Sequence, residues 1–190
     1  MSRRAGQVLL IVFLVLCVDQ VLKIWVKTHM EYGEEFNILG LHWARIHFVE
    51  NEGMAFGLSL GGNLGKLALS VFRLVAVGFL IYIIHSLVKI KETFGVIFSF
   101  SLILAGALGN ILDSAFYGLM FSATPYHGGI STMFPAGGGY APFLFGKVVD
   151  MLYFPMINTM LPSWLQSGVD NILNSSVLSS IFQTHLFQQA

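Results

Sequence analysis

The sequence predicts an all-α integral membrane bundle with a small β-sheet at one membrane surface. Of its 190 residues, 55% are apolar and only 11% are charged, whereas soluble domains carry about 25% charged residues. Three apolar stretches are long enough to cross a bilayer, which takes roughly 20 residues in a helix. The formal net charge is zero, which argues against a nucleic-acid partner.

The predicted spans are residues 8–26, 67–88 and 94–112. The first begins like a signal peptide, with Arg3 and Arg4 before an apolar run. However, no small-residue cleavage site follows, and the run continues through Asp19 and Lys23. We therefore interpret it as a retained helix that carries polar residues.

Basic residues between and before the spans predict the orientation. Arg3 and Arg4 precede the first span, and Lys89 and Lys91 lie between the second and the third. The positive-inside rule assigns both sets, and with them the N-terminus, to the cytoplasmic side. Residues 28–66 and 114–190 are then expected on the outer side, as parts of one membrane domain, 1–190.

The outer segments carry weaker structural signals. Residues 38–48 are rich in strand-forming residues with partial alternation, which predicts a small sheet on the membrane surface. Residues 122–146 are rich in Gly and Pro and predict an irregular loop. After Asp150 no further apolar run of 20 residues appears, so three spans are visible.

Ionisable groups at membrane depth are candidate functional residues, because burying them is costly unless they are paired. Asp19 and Lys23 are four residues apart and share one helix face. They form either a self-neutralising pair or a contact with a substrate head group or a catalytic residue. Arg73 and His85 lie toward opposite ends of the second span, and we expect both to snorkel to the interfaces.

The third span ends in a polar face. Gly106, Asn110 and Asp113 are spaced i, i+4, i+7 and therefore lie along one side of the helix. This face is either a hydrogen-bonded lock between helices or part of a catalytic site. Gly95 and Gly109 join Gly106 as positions that favour close helix packing.

Asp150 is the other candidate carboxylate. It follows two valines and precedes the apolar residues 151–154, and such surroundings favour the neutral form and raise the pKa. A raised pKa suits a group that handles protons near neutral pH. The sequence contains no metal-ligand spacing, no Ser-His-Asp motif and no phosphate loop, which leaves water activation by carboxylates.

Four short motifs occur in order along residues 19–150. They are Asp-Gln-Val-Leu-Lys at 19–23, Asn-Glu-Gly-Met-Ala-Phe-Gly at 51–57, Gly-Asn-Ile-Leu-Asp at 109–113 and Gly-Lys-Val-Val-Asp at 146–150. The last three resemble the patterns N-x-G-x-A-F, G-N-x-x-D and V-V-D. Together the four motifs resemble the signatures of the lipoprotein signal peptidases.

This resemblance implies a four-helix bundle in the bacterial inner membrane with a small periplasmic sheet, a periplasmic-facing active site, and no metal or organic cofactor. The implied reaction is that of an aspartic endopeptidase, in which two carboxylates hold a water. The implied substrate is a prolipoprotein whose cysteine already carries diacylglycerol, cleaved just before that cysteine. Membrane lipid is the other implied partner.

The resemblance also assigns roles to residues. Asp150 matches one of the two catalytic aspartates. Four positions match residues that shape the pocket or bind substrate: Asn51, Gly53, Asn110 and Asp113. Asp19 and Lys23 match a supporting pair on the first helix.

The sequence departs from the family pattern in two places. Ser114 stands where the third motif commonly continues with Arg. The second catalytic aspartate belongs to a later F-N-x-A-D motif, which is incomplete here, because Asp170 lacks its flanking pattern and residues 187–190 resemble only its start. We therefore expect the given sequence to lack the second aspartate and the fourth helix.

Two other functions remain open at this stage. The first is a lipoprotein-binding homologue that is catalytically incomplete. The second is a small membrane transport component with a polar path built from Asp19, Lys23, Arg73 and Asp113.

Overall fold

The computed structural model describes residues 3–51 and 62–155. Its helices are α1 (Arg3–His29), α2 (Gly62–Lys89) and α3 (Phe94–Leu112). Its strands are β1 (Glu35–Asn37), β2 (Arg45–Asn51) and β3 (Val148–Tyr153). The predicted fold class is confirmed: three long apolar helices carry a small three-stranded sheet.

The helices are long and apolar enough to cross a membrane over Arg3–His29, Ala68–Lys89 and Phe94–Met120. They are apolar on all sides, as expected for spans surrounded by lipid. Side chains such as Val12, Val77 and Ile97 fill the centre of the bundle. Others, such as Phe72 and Val75, are more than 60% exposed on its outside and are available to contact acyl chains.

Helix α3 packs against both other helices and runs parallel to α1. At one end, Arg4 Nη1 donates to the Glu92 carbonyl at 2.6 Å. At the other end, Lys23 of α1 pairs with Asp113, which directly follows α3, at 2.7 Å. The basic residues before α1 and between α2 and α3 therefore share one end of the bundle, and Asp113 lies at the opposite end.

The predicted close packing at three glycines of α3 holds for only one of them. A Cβ atom on Gly109 would collide with the Asp19 carboxylate of α1. Gly95 and Gly106 have open space where a Cβ would point, so the prediction for these two is wrong. The close contact occurs where a polar cluster joins the two helices.

After Leu112 the helix widens into a π-helical turn over Asp113–Tyr117 and then closes with an α-helical turn over Gly118–Met120. The π turn adds one residue to the hydrogen-bonded loop and changes the direction of the following side chains. Such turns are often found at functional sites. Asp113 is the first residue of this turn.

The sheet has the strand order β1-β2-β3. Just before β1, the Gly33 N–H donates to the Phe48 carbonyl of β2, and the Phe48 N–H donates to the Glu34 carbonyl. The strand-forming stretch predicted at residues 38–48 overlaps β2 only over residues 45–48, because residues 38–40 form a short 3-10 turn and residues 41–44 are not in a strand. The sequence did not predict β1 or β3. Residues 37–45 and 152–155 belong to a separate compact unit, in which Trp43 stacks on Phe154.

A buried ion pair holds the long loop that follows α3. Lys27 of α1 pairs with Glu50 of β2, and both side chains are at most 3% exposed. Thr124 in the loop donates to Glu50 at 2.8 Å and accepts from Lys27 at 2.9 Å. One network therefore connects a helix, a strand and the loop.

Candidate active site

A fully buried carboxylate, Asp113, is the centre of the polar cluster. Its Oδ2 accepts from Lys23 Nζ at 2.7 Å and from the backbone N–H of Val149 at 3.2 Å. Its Oδ1 accepts from Gln20 Nε2 at 2.9 Å. Asp113 therefore joins α1 and β3 to the end of α3, and both of its oxygens are engaged.

Lys23 supplies the positive charge of this cluster. Besides Asp113 it contacts Asp19 Oδ2 at 3.3 Å and Asn110 Oδ1 at 3.1 Å. The predicted contact between Asp19 and Lys23 is present, but Lys23 has a shorter contact with Asp113. Of the two interpretations of the third-span face, the structure contains the hydrogen-bonded lock between helices.

Gln20 belongs to the same cluster, although sequence reasoning assigned it no role. It donates to Asp113 and to Asp19 Oδ2, the latter at 3.1 Å, and its Oε1 accepts from Tyr117 OH at 3.1 Å. A usable signal existed, because Gln20 lies three residues before Lys23 and thus on a neighbouring part of the same helix face. Its amide fills the gap between two carboxylates.

Asp150 lies on β3, directly after the valine that Asp113 anchors. Its side chain is exposed, whereas Val148 and Val149 are almost fully buried. Asn51 of β2 donates from Nδ2 to Asp150 Oδ2. Partial burial raises the pKa of the Asp150 carboxyl above its ordinary value, and the positive charges of Lys23 and Arg73 oppose this rise.

The two carboxylates are therefore chemically distinct. Asp113 is fully buried, and both of its oxygens accept hydrogen bonds from the protein. Asp150 faces solvent, is oriented by an amide and has a raised pKa, as required of a carboxyl group that exchanges a proton with water.

The family model for signal peptidase II matches residues 11–184 of this chain. The chain belongs to the signal peptidase II family. The lipoprotein signal peptidase of Porphyromonas gingivalis is 52% identical over 156 residues, which are 82% of this chain and 66% of that protein. The one from Amoebophilus asiaticus is 33% identical over 168 residues, 87% of this chain and 66% of the relative.

This member of the family spans slightly less than two thirds of the length of these two relatives. A solved bacterial membrane enzyme, determined by the in meso method, is 23% identical and superposes with a TM-score of 0.51. The match covers 92% of this chain and 90% of the solved one and shows a common fold. The protein is thus a multi-pass bacterial membrane protein.

Two glycines of the signal peptidase motifs have clear packing reasons. Gly109 leaves room for the Asp19 carboxylate, as described above. Gly146 donates its N–H to the Ser114 carbonyl at 2.9 Å, and a Cβ there would lie 2.6 Å from the Asp113 carbonyl oxygen. The fourth motif can therefore lie directly on the π turn, which brings its last residue, Asp150, to the polar cluster.

The position after the third motif holds Ser114, and a guanidinium from another helix reaches it. Arg73 of α2 donates from Nη1 to Ser114 Oγ at 2.6 Å. The snorkelling of Arg73 to the interface stays a prediction; its side chain is half-buried and contacts Ser114, which follows the end of α3. This contact connects α2 to the π turn that follows α3.

The structure brings together six of the predicted site residues: Asp19, Lys23, Asn51, Asn110, Asp113 and Asp150. Gly53 and Asp170 lie outside the described residues. Within residues 3–51 and 62–155, no group of three or more His, Cys, Asp or Glu side chains could hold a metal ion.

Proposed function

We propose that this chain is a membrane aspartic endopeptidase that removes signal peptides from diacylglyceryl-modified prolipoproteins. The proposal rests mainly on the exposure of the Asp150 carboxylate and on the hydrogen bond that orients one of its oxygens. Asn51 holds that oxygen, and the buried Asp113 anchors the preceding residue. Family membership supplies the substrate class.

In this proposal Asp150 and a second carboxylate hold a water molecule between them. One carboxylate takes a proton as the water oxygen attacks the scissile carbonyl carbon, and the other protonates the leaving nitrogen of the lipid-modified cysteine. The carbon–nitrogen bond then breaks. Within residues 3–51 and 62–155, Asp113 is too enclosed to be the second carboxylate, so we propose that it comes from outside the described residues.

The remaining site residues receive supporting roles in the proposal. By motif match, Asn51 and Gly53 are assigned to substrate binding, and Asn110 and Asp113, which both contact Lys23, are assigned to shaping the pocket. Asp19 and Lys23 keep Asp113 electrostatically balanced, because a buried carboxylate needs a paired cation.

We also propose the inner membrane as location, with the N-terminus in the cytoplasm and Asp150 on the periplasmic side. The basic residues before α1 and between α2 and α3 share the end of the bundle opposite to Asp113, which agrees with the positive-inside rule. The exposed apolar surface of the helices provides the contact with membrane lipid.

The test uses purified protein in detergent and a diacylglyceryl-modified precursor peptide, with the unmodified peptide as the matched substrate. We expect cleavage of the modified peptide alone, immediately before its cysteine, as read by mass spectrometry. The Asp150→Asn variant should leave the peptide intact.

Two results would contradict the proposal and identify its rivals. Binding of the modified peptide without cleavage by wild-type protein would indicate a binding homologue. Solute flux through liposomes that carry the protein, with no cleavage, would indicate a transport component.

A further inference from the structure

An open cavity of about 640 Å³, called the basic cavity below, lies at the end of the bundle opposite to Asp113. It is lined mostly by basic side chains from two distant parts of the chain, namely Arg3 and Arg4 of α1, His85 and Lys89 of α2, and Lys91 just after α2. The candidate active site is at the other end of the bundle, so the basic cavity is not part of it.

Positive charge is concentrated around the basic cavity. Four of the ten Lys and Arg residues of the chain line it, whereas residues 1–18 and 67–112 contain a single acidic residue, Glu92. Glu92 does not line the cavity; its carboxylate accepts from the Thr93 N–H at 2.9 Å, and its carbonyl accepts from Arg4. Because like charges that share a cavity repel each other, this arrangement favours the binding of an anion.

A second cavity, of about 360 Å³, adjoins the basic one and is called the apolar groove. The two cavities share three lining residues, which are Ala5, His85 and Val88. From there the groove follows α1 as far as Val12 and α2 as far as Ile81, which is roughly 10 Å along each helix. Apart from His85 its lining is apolar. Leu9 and Ile81 are more than 50% exposed, so the groove opens toward the surrounding lipid.

We propose that the basic cavity and the apolar groove together bind one anionic phospholipid. The phosphate of its head group lies among the basic side chains, and one acyl chain lies in the groove between α1 and α2. Basic pockets between membrane spans are typical binding sites for anionic lipid head groups. The positive-inside rule requires only that basic residues flank the spans. It does not require residues more than 80 positions apart, such as Arg3 and Lys89, to line one cavity.

The experiment titrates the purified full chain in uncharged detergent with dioleoyl phosphatidylglycerol and measures the bound fraction by native mass spectrometry. Dioleoyl phosphatidylcholine is the matched lipid, because it has the same acyl chains and no net charge. We expect phosphatidylglycerol to bind at least about fivefold more tightly. Glycerol phosphate, which carries the anion without acyl chains, should compete only weakly.

Charge variants test the head-group site. Lys89→Gln and Lys91→Gln each remove one charge from an exposed position. A basic residue near an anionic membrane surface contributes about fivefold in affinity, so each variant should weaken phosphatidylglycerol binding about fivefold and the double variant about 25-fold. Lys147→Gln is the matched control, because it removes the same charge beside β3, whose Val149 contacts Asp113 at the other end of the bundle. Its binding should equal that of the wild type.

A bulky side chain tests the acyl-chain site. Ile81→Trp narrows the apolar groove and should weaken the binding of phosphatidylglycerol without changing the charge of the basic cavity. Unchanged binding in this variant would overturn the placement of the acyl chain and indicate that another segment occupies the groove.

Three other results would overturn the proposal. They are equal binding of the two lipids, wild-type binding in the double Lys89 and Lys91 variant, and competition by glycerol phosphate as strong as that by phosphatidylglycerol, which would indicate a site for free anions. None of these measurements involves cleavage of a peptide. The outcome is therefore independent of the proposed peptidase function.

Discussion

The buried pair of Lys23 and Asp113 gives the most quantitative prediction about this molecule. Both side chains are at most 5% exposed and lie 2.7 Å apart. Removing one partner of a buried ion pair leaves an uncompensated charge and typically costs about 3–5 kcal/mol. We therefore expect Lys23→Met and Asp113→Leu each to reduce the free energy of unfolding by about that amount.

The double variant separates pairing from simple loss of packing. If the two residues acted independently, their costs would add to about 6–10 kcal/mol. Because each single cost arises mostly from the charge left behind, we expect the double variant to cost no more than one single variant. The coupling energy should then be about 3 kcal/mol or more.

The assay is reversible unfolding in mixed detergent micelles of increasing SDS content, followed by far-ultraviolet circular dichroism. Asp19→Asn is the control, because Asp19 is 22% exposed and should cost about 1 kcal/mol or less. If the cost of the double variant equals the sum of the two single costs within about 0.5 kcal/mol, Lys23 and Asp113 do not act as one ion pair.

Three further predictions concern other parts of the molecule. Gly109→Ala should lose about 1–3 kcal/mol of stability because its Cβ would collide with a carboxylate of α1, whereas Gly106→Ala, which faces open space, should be neutral or slightly stabilising in the same unfolding assay. The raised pKa of Asp150 means that the folded protein binds its proton more tightly than the unfolded chain, so stability falls as pH rises from about 4 through the raised value. Asp150→Asn should therefore gain thermal stability relative to wild type toward neutral pH and none below about pH 4. Lys27→Met should lose about 3–5 kcal/mol because it leaves Glu50 buried without its cation, which thermal unfolding in detergent would detect.

Specific outcomes would contradict each of these. If Gly109→Ala and Gly106→Ala change the stability equally, a steric collision at Gly109 is not the cause of the loss. A stability difference for Asp150→Asn that does not change between pH 4 and neutrality would contradict the pKa argument. A Lys27→Met variant with the same unfolding temperature as the wild type would show that Lys27 and Glu50 do not form a buried ion pair in solution.

The sequence was sufficient for the helices and for local pairs. Apolar length predicts the three spans, because a helix pairs all its backbone groups within the segment while its apolar side chains face lipid. The spacing of Asp19 and Lys23 predicts their contact because helix geometry alone determines it. The polar face of Asn110 and Asp113 follows from the same periodicity.

Features that depend on contacts between distant segments could not be predicted in this way. Strand β3 has only six residues, and its partner β2 is far away in the sequence, so no local pattern indicates the pairing. The direction of the Arg73 side chain depends on the π turn that contains Ser114. No periodic pattern of apolar residues in the sequence predicts that turn. The network around Lys27 likewise requires a strand and a loop to meet at the end of α1.

We propose that Asp150 is a catalytic carboxylate of a lipoprotein signal peptidase. The most direct test compares initial rates of cleavage of a diacylglyceryl-modified precursor by wild-type protein and by Asp150→Asn at equal concentrations of folded protein. General acid–base catalysis contributes about 10²–10⁴-fold, so we predict a rate loss of at least that size with unchanged binding of the precursor. An Asp150→Asn variant that cleaves within a few-fold of the wild-type rate would show that Asp150 is not a catalytic carboxylate.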